Sequence, residues 1–293
     1  MGHNLLNQKY LNDELAAQDF LIKFRWPYGI ICPHCCQAEG CYRLNVKNVK
    51  RIVLKCRKCR KQFSATVGTI FEDSHIPLTK WFMAMHLMCS SKKGMSAHQL
   101  HRMLGLTYKT AWFMAHRIRH GLTQWRDVPP LGGIVECDET YIGGKEKGRG
   151  MTANKVPVFA LVQRGGAVRS MVMPRVTARN LQAAVRTNVE RSAKIMTDSY
   201  LGYKGLGKDF SHESVNHAEK EYVRGNVHTN TVEGYFSLLK RGIIGTYHHV
   251  SEKHLHRYLA EFDFRYNARK DSDAVRTFAA MKGVEGKRLQ YQK

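Results

Sequence analysis

Three acidic positions stand where a hard metal ion could be held. Asp138 sits in the strand-like run "GIVECDETYIGG", Asp198 directly follows the apolar "KIM", and Glu233 lies in the helix-like "HTNTVEGYFSLLKRG". Side chains from a strand, a strand end and a helix can converge on one or two Mg²⁺ or Mn²⁺ ions, because carboxylate oxygens suit hard cations. Two such ions about 3.5–4 Å apart activate a hydroxyl and stabilise the leaving oxygen of a phosphodiester. Blander readings compete. Asp198 can open a turn, and Glu233 can sit on a solvated helix face with Lys240 two turns on. Glu136 and Glu139 share the strand with Asp138; alternation puts Glu136 on its face and Glu139 on the other. Asn230, one turn before Glu233, shares that helix face. A carboxylate binds Mg²⁺ better than an amide, which favours Glu233 as ligand and leaves Asn230 as a weaker or outer one.

A second metal pattern is independent of the first. Cys32-x-x-Cys35 and Cys56-x-x-Cys59, with 20 residues between the pairs, are two knuckles that can complete a tetrahedron of thiolates around Zn²⁺. Four protein ligands leave no open position, so this zinc is expected to be structural. His34, Cys36 and Cys41 break the paired spacing and are read as spectators.

Charge narrows the partner. Lys and Arg number 47 against 24 Asp and Glu, a formal +23 among 293 residues. The excess runs along the whole chain, nine of the residues from Arg43 to Lys61 being basic, and such a field attracts polyanions, nucleic acid foremost. No apolar run is long enough for a membrane span. The N-terminus lacks a basic start followed by an apolar core, so no secretory leader and a cytoplasmic location are expected.

The elements that must position these groups follow in order. An amphipathic helix with Leu11, Leu15, Phe20 and Phe24 on its apolar positions is expected within 1–31, stopped by "RWPYG" and bracing the ribbon at 32–74. Residues 75–124 read as helical. There a helix ending at Leu104, a turn at Gly105 and a second helix capped by Thr107 resemble a helix-turn-helix. Ala111, Met114, Ala115 and Ile118 form the buried stripe of the second helix. Lys109, Arg117 and Arg119 are left for DNA. "WRDVPPLGG" at 125–133 marks a hinge. From 133 to 270 three β-rich runs, a helix, a strand and two helices suggest a mixed α/β domain with its site at strand ends; 271–293 is expected to be a tail. "GYKGLG" opens no helix and is rejected as a nucleotide loop.

The motifs "CPHC", "CRKC", "VECDETYIGGK", "IMTDSYLGY", "HTNTVEGYFSLLKRGIIGTYHHVS" and "HLHRYLAEFDFRYNAR" together resemble a bacterial insertion-sequence transposase family over about residues 10 to 268. That family joins an N-terminal zinc ribbon to a DDE catalytic domain of RNase H-like fold. The resemblance implies a multidomain α+β chain with Asp138, Asp198 and Glu233 as metal ligands, and with Lys240, followed by Arg241, near the cleaved phosphate. It also implies double-stranded DNA as partner, strand cleavage and strand transfer, and a dimer or larger assembly holding two DNA ends. His228, Tyr247, His248 and His249 flank this region as further candidate DNA contacts. The rivals are a DNA-binding regulator without catalysis and an RNase H-like nuclease that cuts without joining.

Overall fold

The computed structural model describes residues 8–45, 51–123, 129–144 and 155–289. The chain divides into two compact units, one of residues 1–91, 95–122 and 271–293, the other of 92–94 and 123–270. Residues 46–50 of the expected ribbon and 125–128 of the expected hinge lie outside the described residues.

In the first unit, helix α1 (Glu14–Arg25) starts where the Asp13 carboxylate accepts from Leu15 N and Ala16 N. Ala17 and Leu21 are its buried positions; Leu11, expected on the same helix, is buried in the 3-10 turn Lys9–Leu11 before it, and Leu15, expected on the apolar side, is exposed. The helix braces the ribbon through an Asp19–Arg43 ion pair and through Gln18 Oε1, which accepts from Ile52 N at 2.7 Å. The ribbon is a three-stranded antiparallel sheet of β1 (Cys41–Arg43), β2 (Leu54–Cys56) and β3 (Gln62–Phe63). Helices α2 (Leu78–Ser90), α3 (Ala97–Leu104) and α4 (Tyr108–Gly121) follow. Gly105 takes φ 58, ψ 45 to close α3, and Thr107 Oγ1 accepts from Thr110 N to open α4.

The face of α4 differs from the expectation. Ala111, Met114, Ala115 and Ile118 are buried as read, but so are Arg117 and Arg119. Arg117 donates to the Glu72 carbonyl at 2.6 Å, and its guanidinium lies over the Trp81 and Phe113 rings. Other elements pack on α4 beyond its apolar stripe, so that the Arg117 plane stacks on rings there and the Arg119 side chain is buried as well. Neither is available to DNA; of the three, only Lys109 is exposed. The expected tail also differs: Asp273–Lys282 is a helix packed on α2, opened by Ser272 and contributing buried Ala280 and Met281.

In the second unit, β4 (Ile134–Ile142), β5 (Val156–Gln163) and β6 (Val168–Val172) form an antiparallel meander. Helix α5 (Ala178–Asn188) crosses over to β7 (Lys194–Asp198), which pairs parallel with β4, and β8 (Ser211–Val215) extends the sheet in parallel. The order β6-β5-β4-β7-β8 is the RNase H-like mixed sheet implied by the sequence resemblance. A short hairpin of β9 (Val223–Arg224) and β10 (Val227–His228) leads into α6 (Asn230–Gly242), a π-helical turn (Ile243–Tyr247) and α7 (Glu252–Asn267). The helix Asp273–Lys282, which belongs to the first unit, is α8.

Both faces of the sheet are covered. Val135, Cys137, Phe159, Leu161 and Ile195 pack with Leu181 and Val185 of α5. On the opposite face Val158, Ala160 and Val162 pack with Val232, Tyr235, Phe236 and Leu239 of α6 and with Leu259 and Phe262 of α7. The strand β5 is apolar on both sides for this reason.

One buried polar knot ties these helices to the meander. Asp263 of α7 is wholly buried and accepts from Ser170 N at 2.9 Å, from Ser170 Oγ at 2.8 Å and from the Tyr235 hydroxyl. Burial pushes its carboxyl up to about 7, against the opposing pull of these donors. The folded state therefore holds a proton that the unfolded chain releases, and ionisation weakens folding as pH rises from about 4 to about 7. Asp263→Ala should cost roughly 1–3 kcal/mol in urea unfolding at pH 7, because buried donors lose their acceptor. The same variant should flatten the fall in wild-type stability across that pH window.

Candidate active site and zinc ribbon

Register brings the first two acidic residues together. The parallel pairing of β4 with β7 runs Ile134↔Lys194, Val135↔Ile195, Glu136↔Met196. The pairing ends there; Asp138 and Asp198 lie two residues further along their strands, near enough for the charge of Asp198 to push on the Asp138 carboxyl. Helix α6 packs over β4 and carries Glu233 one turn in from its start. Asp138 and Glu233 line one cleft of ≈ 850 Å³, together with Glu139, Lys93, Lys240 and Arg241. The π-helical turn closes part of its wall with Ile244, Gly245 and Thr246.

The electrostatics couple these groups. Burial pushes the Asp138 carboxyl up to about 8; the Glu139 N–H, 2.7 Å from Oδ1, pulls it back, and the charges of Glu139, Asp198 and Glu233 push it further up. Mutual repulsion of this kind is what a divalent cation relieves, and three carboxylates are a hard-oxygen donor set that fits Mg²⁺ or Mn²⁺. Their oxygens do not all crowd within 4.8 Å of one another, as the ribbon sulfurs do. Asp198, unlike Asp138 and Glu233, is not among the residues that line the cleft.

The other expected residues are placed as follows. Glu233 is exposed on the cleft side, and its Oε1 accepts from the Thr229 hydroxyl at 2.9 Å. Asn230 is exposed at the first helical position and is not among the residues lining the cleft. Lys240 and Arg241 are exposed at its rim. Among the flanking residues, His248 and His249 are exposed, whereas Tyr247 donates to Glu261 at 2.8 Å and packs against Phe262. The carbonyl of His228 is taken by Arg164.

Three residues take places that the sequence did not assign them. Glu139 does face away from Asp138 by alternation, yet it reaches the cleft wall, fixed by the buried Tyr203 hydroxyl at 2.5 Å; burial raises its carboxyl and the charge of Asp198 adds to that. Lys93 sits in a short loop with no motif to single it out. Glu136 is completely buried and, with no free face, holds the start of α6. The only signal for it was an acidic residue inside an apolar strand.

In the ribbon, the Sγ atoms of Cys32, Cys35, Cys56 and Cys59 all lie within 4.8 Å of one another. A regular tetrahedron with Zn–S bonds of about 2.3 Å has sulfur–sulfur edges of about 3.8 Å. Cys32–Cys59 at 3.6 Å and Cys35–Cys56 at 3.7 Å match those edges, so the site fits zinc. Backbone N–H groups of the second knuckle, led by Cys59, draw the Cys56 thiol down to about 6, favouring the thiolate a metal needs. His34 packs edge-on against Phe63, Cys36 is exposed, and Cys41 points to the Gln37 carbonyl.

The chain combines a four-cysteine ribbon with a mixed five-stranded sheet that carries Asp138 midway along β4 and Asp198 at the end of β7. Residues 130–267 match the ISXO2-like transposase domain, and residues 12–62 match the transposase zinc-ribbon domain. An uncharacterized protein in transposable element ISH50 of Halobacterium salinarum is 32% identical over 272 residues, covering 86% of this chain and 90% of that protein. The catalytic core domain of BIV integrase is a remote structural likeness, with 14% identity, a TM-score of 0.32, and 44% of this chain and 81% of that one covered. The chain belongs to the ISXO2-like insertion-sequence transposases, a family of DNA-binding, nucleotidyl-transferring enzymes with a structural zinc site. No helix among the described residues is long and apolar enough to cross a membrane.

Two outcomes are expected here. Cys56→Ser should lose bound zinc, read by metal analysis, and lower the melting temperature of the ribbon. Asp138 is raised from 3.8 to about 8, so its ionisation disfavours the fold increasingly through that window. Asp138→Asn should therefore melt a few degrees above wild type at pH 8 in metal-free buffer, with the gain vanishing near pH 4.

Proposed function

We propose that the protein binds the inverted-repeat ends of an insertion sequence, cuts a DNA strand there to expose a 3′-OH, and joins that end to a target phosphate. The observation that carries this reading is the cleft itself. Asp138 is repelled by Asp198 and Glu233 inside a wall whose rim holds Lys93, Lys240 and Arg241. Asp138, Asp198 and Glu233 would hold Mg²⁺ or Mn²⁺, which when bound activates the attacking hydroxyl and stabilises the leaving oxygen. Lys240 and Arg241 draw a DNA phosphate onto the cleft and hold it beside the carboxylates. Asn230, exposed one turn before Glu233, is at most a weaker ligand. Glu139, held by Tyr203, adds a further carboxyl near Asp198.

End recognition falls to the basic ribbon and to the first turn of α4, where Lys109 is exposed; N-terminal residues of a second helix are the ones that reach base edges. Strand transfer uses two ends at once, so a dimer or larger assembly on DNA follows.

The test is a DNA fragment carrying the gene's natural flanks, incubated with purified protein and Mg²⁺, with 3′-OH ends and joined products mapped. Asp198→Ala should lower cleavage by about three orders of magnitude or more, a loss typical of removing a group that stabilises transition-state charge. It should bind the flanks as wild type does. Cleavage without joining would make the protein a nuclease. Binding without cleavage by wild type would make it a regulator.

A further inference from the structure

We infer that Glu136 is a positioning residue for the cleft: it caps the start of α6 from the neighbouring strand and thereby sets where Glu233 stands relative to Asp138. This rests on the reading of Glu233 as a metal ligand. An α-helix begins with unpaired backbone N–H groups, and the residue before it ordinarily satisfies one with its own side chain. Here Thr229 holds that place but makes no cap; its hydroxyl is turned forward to Glu233. The vacated role passes to Glu136, whose Oε2 accepts from Thr231 N at 2.7 Å and from Val232 N at 3.0 Å.

The other oxygen fixes the approach to the helix. Glu136 Oε1 accepts from the Thr231 hydroxyl at 2.8 Å and from Arg164 Nε at 2.6 Å. The remaining guanidinium nitrogens of Arg164 donate to the carbonyls of Asn226 and His228, in the hairpin that feeds α6. Donors thus face both oxygens, and only a carboxylate, which accepts at every lone pair, satisfies them all. A Gln there would point its own N–H₂ at donors in either orientation. Glu136 and Asp138 lie two residues apart on one face of β4, about 7 Å along the strand. One short stretch of strand therefore carries a cleft carboxylate and the peg that sets the helix bearing another.

The experiment titrates Mn²⁺ into full-length protein without DNA, following the EPR signal of free Mn²⁺, and separately finds the metal concentration for half-maximal cleavage of end DNA. Glu136→Gln should weaken Mn²⁺ binding about tenfold, as loss of a group orienting metal ligands commonly does. It should raise the cleavage midpoint by a similar factor, with excess metal restoring much of the rate. A Glu136→Gln protein with a lowered melting temperature but wild-type Mn²⁺ affinity and midpoint would overturn the inference, leaving Glu136 a stabilising cap alone. Should that variant not fold, Thr231→Ala decides: a raised midpoint supports the inference and an unchanged one defeats it. Asp138→Asn separates the two levels. If it binds Mn²⁺ as wild type does, the metal site itself is misassigned and the inference falls with it. If it abolishes binding while Glu136→Gln changes nothing, only the inference falls.

Discussion

A fully buried carboxylate inside an apolar strand is costly, and Glu136 meets that cost by accepting the hydrogen bonds a helix start cannot make for itself. Hydrogen bonds to a charged group are each worth about 1.5–3 kcal/mol, against about 1 kcal/mol for neutral pairs. The strand meander, the β9–β10 hairpin and α6 all meet at this one charge through Arg164, Thr231 and Val232. The position of α6 over the sheet is therefore set by directional bonds as well as by packing of Val232, Tyr235 and Leu239. The cleft depends on that placement, since Asp138 and Asp198 belong to the sheet and Glu233 to the helix.

The middle of the same helix and the turn that follows it are held differently. Tyr235 and Asp263 tie α6 and α7 to Ser170 on β6, and Tyr247 ties the π-helical turn to Glu261, which pairs with Arg265. The extra residue per turn in a π-helix lets the chain leave α6 with Ile244, Gly245 and Thr246 on the cleft wall. Gly242 belongs to this device, because a Cβ there would stand 2.2 Å from the Phe262 ring. Held at its start, its middle and its exit, α6 presents Glu233 and Lys240 to the same cleft from positions two turns apart.

Charge is sorted by depth. The chain carries a formal +23, yet the cleft gathers Asp138, Glu139 and Glu233 on its wall, with Asp198 close enough to act on the first two. Long-range attraction of a polyanion and local repulsion among carboxylates act on different length scales, because screening removes the former beyond roughly 8–10 Å in physiological salt. A basic exterior can gather DNA while an acidic centre waits for cations.

The sequence by itself determined much of this. Paired cysteines at fixed spacing define the ribbon because thiolates on two knuckles have one sensible geometry, and the β-rich and helical runs located most elements because core faces repeat with the period of the backbone. Asp138 and Asp198 were legible as carboxylates in or beside apolar strands. The polar strand "SHESV" was not, because an edge strand needs no apolar alternation, and neither was α8, whose partner α2 lies far away in sequence. Only the tertiary structure decided which charges point outward. Arg117 and Arg119 occupy positions that periodicity leaves polar, but neighbouring elements cover that side of α4. Glu136 shares a strand face with Asp138, yet one is a buried anchor and the other lines the cleft, because the start of α6 sits over the first and not the second. Local pattern records which face a side chain takes; what lies against that face is set by segments distant in the chain.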